Sequence, residues 1–417
     1  MDTATITNNS DLKKILERVR QECGNKEFSD IVDDNGHQYV DLVMEGGGML
    51  GIALVGYTYV LEQAGIRFLG IGGTSAGSIN ALLLAALGTP AEAKGEKLLA
   101  ELANKNFFDF VDGDSDARDF IESWVEGAGN FKLAFKAAQV LDNLQNDLGL
   151  NPGAAFTAWI HDILQREGIS NYGQMRSRLE TIPDGLRTRQ GEVLNTIDKA
   201  GMRLALIAAD VSTETKVEFP KMACLYWGDP DKVNPAQFVR ASMSIPYFFH
   251  PFRVANLPQG DAARANWEKY AGFIPADEGG VPRDALFIDG GVMSNFPIDV
   301  FHTPNLVPTA PTFGAKLELD HRRKKIDGPL GLLGAIFNSA RHTLDYDFIH
   351  RNPDYRHLVT WIPAEGFNWL DFNMSDEKKI ALFLEGARKA ADFLCGFNWP
   401  NYKKIRETAV SQAVVGK

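Results

Sequence analysis

The sequence predicts an α/β protein, a three-layer sandwich in which a central, mostly parallel sheet lies between helices. Three observations predict it. From residue 39 onward, short apolar runs alternate with longer helix-like stretches. Gly-rich turns join such a run to the stretch that follows it at residues 46–51 and 73–77. Apolar runs then return after residue 200, so that one sheet draws on most of the chain. With 417 residues, 45% of them hydrophobic, the chain is long enough to bury one large core.

Taken in order, residues 1–35 read as an N-terminal helical extension, with Ser10 as N-cap and Leu12, Ile15, Leu16 and Val19 at amphipathic spacing. The first strand is expected at 39–44, a helix at about 50–64, a strand at 67–72 and a helix at 76–87 that Gly88 and Pro90 stop. Such βαβα order implies parallel neighbours. Residues 91–200 read as a mainly helical insertion or cap, including helices at 131–145 and 154–165. Strands are expected again at Arg203–Ala209, Thr215–Phe219, Leu286–Ile288, Pro311–Leu317 and His357–Trp361. The Gly-, Pro- and Asp-rich stretch 253–285 reads as a long inserted loop. The main domain then spans 36–395, and 396–417 reads as a C-terminal tail.

Composition excludes some functions. A net charge of −11 argues against a broad nucleic-acid face or an anionic-membrane face, since either partner needs a basic surface. Cys23, Cys224 and Cys395 have neither zinc-site spacing nor the even count of a disulfide framework, which points to a reducing compartment. The N-terminal segment lacks an apolar run of signal-peptide length, and no stretch has the roughly 18 apolar residues of a membrane span. A cytoplasmic or peripheral-membrane location is expected, unless a dedicated secretion system exports the protein.

Gly46, Gly48 and Gly51 satisfy G-x-G-x-x-G, the spacing of a dinucleotide site. That site also needs an acid at the end of the second strand for the ribose. Here the second strand, in IRFLGIGGTSAG, ends in no acid. It ends in Gly73-Thr74-Ser75-Ala76-Gly77, a G-x-S-x-G between strand and helix, where small neighbours allow the sharp turn that lifts a serine hydroxyl off the sheet. The helix that follows directs its positive end toward a developing alkoxide. Neighbouring parallel strands end on one edge of a sheet, so the loop 46–51 lies beside this elbow, and the N–H groups of Gly47, Gly48 and Met49 can face an acyl oxygen on Ser75.

A serine nucleophile needs a base. None of the eight histidines (His37, His161, His250, His302, His321, His342, His350 and His357) sits in a recognisable motif. Asp289, in ALFIDGG, ends an apolar strand and is followed by Gly290 and Gly291, so it can reach a neighbouring loop. A free Asp, with a pKa near 3.9, holds a proton poorly. An apolar site raises that value, and a tight oxyanion hole lowers the demand on the base.

These residues resemble the patatin-like phospholipase family in three ordered blocks: GGGMLG (46–51), GTSAG (73–77) and DGG (289–291). Weaker support comes from ADVSTETKVEF (209–219), RASMSIPYFFHPF (240–252), NFP (295–297) and the helical stretch 371–394. The resemblance implies a patatin-like fold, Ser75 as nucleophile, Asp289 as proton acceptor, and an oxyanion hole at Gly46, Gly47, Gly48 and Met49. It also implies a lipid ester substrate, met at a membrane or micelle surface, with no cofactor and no catalytic metal. A protein activator is compatible with it. Hydrolysis is the expected outcome. An acyltransferase using the same acyl-serine, or a lipid-binding module without turnover, are the alternatives. Many members carry Lys or Arg where this chain has Leu50, a position suited to a lipid phosphate.

Three further features have a packing reading and a functional one. Tyr247, Phe248, Phe249 and Phe252 suit a core more than an acyl pocket. Residues 131–145 suit a packed cap helix more than a mobile lid. HRRKK (321–325) and the group Lys403, Lys404 and Arg406 suit solvated turns more than headgroup contacts.

Overall fold

Parallel strands covered on both faces call for apolar runs without alternation, and residues 39–44 and 66–74 have that character. The computed structural model describes residues 2–125, 145–275, 280–318, 335, 339 and 348–415. Among them are twelve strands: β1 (Ile31–Val32), β2 (Gln38–Met44), β3 (Ile66–Thr74), β4 (Gly149–Asn151), β5 (Arg187–Thr188), β6 (Arg203–Asp210), β7 (Thr215–Phe219), β8 (Tyr247–Phe249), β9 (Phe252–Ala255), β10 (Asp284–Asp289), β11 (Thr312–Glu318) and β12 (Val359–Pro363). Ten of them form one sheet, with main order β12-β11-β2-β3-β6-β10-β9. The first five in that order are parallel, β10 runs antiparallel to β6, and β9 at the far edge runs antiparallel to β10. β7 lies antiparallel along β6, β1 and β5 extend from the start of β2, and β4 pairs with β8 apart from this sheet. The central strands are parallel and flanked by helices, as the alternation predicts.

Two short helices, α1 (Thr3–Thr7) and α2 (Ser10–Cys23), precede the sheet, followed by α3 (Gly51–Gln63) after β2 and α4 (Ala76–Ala86) after β3. The cap of α2 is Asn9, whose side chain accepts from the N–H groups of Asp11 and Leu12, and Ser10 is the first helical residue instead. Every residue of α3 except Gln63 is buried, so this helix has no polar face and belongs to the core. It crosses the helix Asp376–Gly396 at backbone contact: a Cβ on Gly56 would strike Phe383 O, and one on Gly386 would strike Ala53 O. That second helix starts at Ser375, whose hydroxyl accepts from Lys378 N–H.

Two segment readings need correction. The stretch 253–285 is no plain loop, for it holds most of β9, the helix Asp261–Ala271 and the start of β10. Good helix formers in DAARANWEKYA outweigh the turn residues around them, and Trp267 is buried beneath that helix. The stretch 396–417 is no loose tail but carries the helix Trp399–Val415, with Trp399, Tyr402 and Arg406 buried. Lys403 Nζ pairs with Asp30 at 2.8 Å and Arg406 Nη1 with Asp354 at 3.3 Å, so two of the three basic groups proposed for this spot are held inside the fold. Phe248 and Phe249 are buried, with Phe248 stacked on Phe372 at 4.8 Å, whereas Tyr247 is exposed. The expected helix 131–145, apart from Gln145, and the basic run 321–325 lie outside the described residues.

Asp41 sits in mid-sheet on β2, where it accepts from Gly70 N–H at 2.8 Å. Burial pushes its carboxyl up to about 6, against the pull of Arg203 and this hydrogen bond. The folded state therefore keeps a proton that the unfolded chain loses near pH 4, so this contribution to stability is full below that point and is lost as pH rises through about 6. Asp41→Asn removes the charge and keeps the shape. It is expected to raise stability at pH 8 by about 1–3 kcal/mol and to change little at pH 4, read from urea midpoints at the two pH values.

Candidate active site

β3 ends at Thr74 and α4 begins at Ala76, which leaves Ser75 to make the turn with φ 51° and ψ −120°. Such a backbone costs a non-glycine residue on the order of 1–3 kcal/mol and persists only where the surroundings hold it. Gly73 and Gly77 let the turn close. A Cβ on Gly73 would lie 2.5 Å from Gly77 C, and one on Gly77 would run into Met44 O. Ser75 N–H donates to Ser242 Oγ at 2.9 Å, and Ser242 Oγ donates onward to Ile207 O at 2.5 Å. Thr74 Oγ1 donates to Ser294 O at 2.8 Å, which fastens the turn to the loop after β10. Ser242→Ala strands the buried Ser75 N–H, so kcat for ester hydrolysis is expected to fall roughly 10- to 100-fold with little change in KM. Steady-state kinetics with wild-type kcat would give Ser242 a packing role only.

Asp289 arrives from the other direction along the same neighbour. β3 pairs with β6 as far as Thr74 opposite Ile207, and β10 pairs with β6 from Asp289 opposite Ala208. β7 already occupies Leu206–Asp210 of β6, so β3 and β10 must share the opposite edge and meet there end to end. Ser75 and Asp289 thus leave one edge of β6 at adjacent register positions. Asp289 N–H donates to Ser244 O at 2.7 Å, and its Oδ1 accepts from Gly291 N–H at 2.8 Å. Gly290 follows because a Cβ there would overlap Ile207 O. Both Ser75 (5%) and Asp289 (3%) are nearly closed to solvent, the condition under which charge and hydrogen bonding act most strongly.

The Gly-rich loop lies beside them because Met44, the end of β2, pairs with Gly73. A Cβ on Gly46 would lie 3.1 Å from Ser75 Cβ, and one on Gly51 2.8 Å from Ala76 Cβ. Of the four expected oxyanion donors, two are committed elsewhere: Gly46 N–H donates to Asn295 O and Met49 N–H to Trp369 O, each at 3.0 Å. Gly47 and Gly48 are the two whose N–H groups make no such backbone bond among the described residues. Gly48 has φ 53°, and a Cβ on it would strike Trp369 O, so glycine is required there. Leu50, at the position suited to a phosphate-binding cation, is fully buried.

Glu45, buried beneath this loop, was not singled out from sequence. Its carboxylate accepts from Lys316 Nζ at 2.8 Å, Leu317 N–H at 2.6 Å and Asn295 Nδ2 at 3.1 Å. Lys316 also lies over the rings of Phe296 and Trp361 at 5.0 and 5.3 Å. A buried ion pair of this kind contributes little net stability, because desolvation of both charges offsets their attraction. Here it ties β2, β11 and the loop after Asp289 together. Ser242, Ser244 and Asn295 were visible within RASMSIP and NFP, but their roles depend on contacts that spacing does not reveal. Two histidines are occupied elsewhere: His37 Nδ1 bonds Asp33 at 2.9 Å and His302 Nδ1 bonds Tyr355 Oη at 2.7 Å. Among the described residues no group of three or more His, Cys, Asp or Glu side chains could hold a metal ion, and no helix is long and apolar enough to cross a membrane.

A family model described as patatin-like phospholipase matches residues 42–302, more than half of the chain. The chain belongs to the patatin-like phospholipase family. It is accordingly a lipid acyl hydrolase. The patatin-like match starts within β2 and ends beyond β10, so it takes in the Gly-rich loop, the serine turn and Asp289. The chain is 30% identical over 356 residues to the protein YqhO of Bacillus subtilis (strain 168), an alignment covering 85% of this chain and 98% of YqhO. It is also similar to the crystal structure of VipD from Legionella pneumophila, at 14% identity and a TM-score of 0.37, over 88% of this chain and 70% of that one.

Proposed function

We propose that this patatin-like protein cleaves fatty-acyl ester bonds of phospholipids or lysophospholipids through a Ser75–Asp289 dyad and an acyl-enzyme. The observation that carries the proposal is the register along β6, with Thr74 opposite Ile207 and Asp289 opposite Ala208. Ser75 Oγ attacks the ester carbonyl as Asp289 takes its proton. The carbonyl oxygen becomes an oxyanion, to which the N–H groups of Gly47 and Gly48 donate. Collapse expels the lysolipid or alcohol, protonated by Asp289, and leaves the acyl chain on Ser75. Water then attacks this ester as Asp289 takes a proton from it a second time, and collapse breaks the acyl–Oγ bond, returns that proton to Ser75 Oγ and releases the fatty acid. Burial of both side chains supports the pairing, since hydrogen bonding and charge act most strongly away from solvent.

The test is mass spectrometry of products from vesicles or micelles of phospholipids, lysophospholipids and triacylglycerols, together with labelling by a fluorophosphonate. Free fatty acid from the phospholipid or lysophospholipid arms, and a label on Ser75, are the expected results. Acyl transfer to added lysolipid without net fatty-acid release would make the protein a transferase. Absence of any label would overturn the dyad.

A further inference from the structure

Cys23 and Cys395 stand at opposite ends of the sequence, yet helix packing brings their sulfurs to 3.4 Å. Cys23 is the last residue of α2, and Cys395 lies in the final turn of the helix Asp376–Gly396. The two helix ends are held together by charged contacts on both sides of the thiols. Arg18 Nη1 bonds Asp392 at 2.6 Å, and Lys26 Nζ donates to Leu394 O and Cys395 O at 2.8 and 2.5 Å, closing the carbonyl end of the second helix. Cys23 is buried and Cys395 half-buried, so a small reagent reaches Cys395 first. Neither thiol belongs to the serine site. We propose that Cys23 and Cys395 are a modification site, forming a reversible disulfide that fastens the N-terminal extension to the helix packed on α3.

The oxidant is a small-molecule disulfide. The Cys395 thiolate attacks one of its sulfurs, the small disulfide bond breaks, and one thiolate leaves. Cys23 then attacks Cys395 Sγ in the mixed disulfide and expels the second. The two protein sulfurs together lose two electrons, the two sulfurs of the reagent gain them, and the two protein thiol protons end on the two small thiols. Burial and the Glu22 carboxylate push the Cys395 thiol up to about 12, with Cys23 adding to this and Arg18 opposing it. Charged groups facing the pair are Arg18, Glu22 and Lys26 from the N-terminal segment and Asp392 from the second helix. Little thiolate is present near neutral pH, so the exchange is slow there and speeds up about tenfold for each pH unit.

The experiment incubates the full chain with oxidised glutathione at pH 8.5, blocks remaining thiols with N-ethylmaleimide, and maps unreduced peptides by mass spectrometry. A peptide joining Cys23 to Cys395, with Cys224 recovered as its maleimide adduct, is expected. The thermal midpoint of unfolding should rise by roughly 3–6 °C, fall back on reduction, and show no such rise in Cys395→Ser. Recovery of Cys23 and Cys395 only as separate maleimide or glutathione adducts would overturn the proposal. So would an equal rise in Cys395→Ser.

Discussion

Ser75→Ala is expected to lower ester hydrolysis by about a thousandfold or more while the protein stays folded. The turn survives because Ser75 N–H still has Ser242 Oγ to bond, and the glycines that close the turn are unchanged. What is lost is the proposed nucleophile alone. Asp289→Asn makes the complementary case. The amide oxygen can still accept from Gly291 N–H, so the loop after β10 holds, but an amide takes no proton from a hydroxyl. A fall of roughly 10²- to 10⁴-fold is expected, in line with the usual contribution of a general base. Both are measured with a soluble short-chain ester, alongside circular dichroism to establish folding. Wild-type turnover in a folded Ser75→Ala protein sinks the dyad, and wild-type turnover in Asp289→Asn sinks the assignment of the base.

Gly386→Ala is expected to destabilise the protein by about 3 kcal/mol or more, the upper range for an added methyl in a packed interior. The new Cβ would overlap Ala53 O and lie 2.7 Å from Ala53 C and 3.0 Å from Tyr57 N, all of them backbone atoms that no rotamer change can move. The two helices must separate. Because α3 begins at Gly51, directly after the Gly-rich loop, the displacement reaches the serine site, and turnover should fall as well. Gly396→Ala, in the last position of the same helix and with nothing within 4 Å, is the control and should shift the urea midpoint little. Equal midpoints for the two variants would mean that the crossing tolerates a wider gap.

Much of this was legible in the residues. The runs behind β2 and β3 and the motif glycines each constrain the backbone locally, and local constraints survive in a one-dimensional record. Strand direction did not: β10 reads the same whether it runs with or against β6, and only the pairing of Asp289 with Ala208 settles it. The helix Asp261–Ala271 was hidden because Gly, Pro and Asp on either side suggested turns, although the run between them favours a helix. The loop donors were half legible for a related reason. That Gly46 and Met49 are taken up depends on Asn295 and Trp369, which come from far along the chain.

β6 acts as a ruler for the site. Side chains alternate faces along a strand, so sliding β10 by one residue against β6 would turn the Asp289 carboxylate to the opposite side of the sheet. The spacing of the proposed Ser75–Asp289 dyad is therefore measured on Ile207 and Ala208, not along the chain that connects them. The excursion between β9 and β10 can lengthen, shorten or carry a helix such as Asp261–Ala271 at a loop-closure cost that grows only logarithmically. Variation there leaves the pairing of β10 with β6 unchanged, while a single insertion inside β10 is expected to carry Asp289 off its place opposite Ala208.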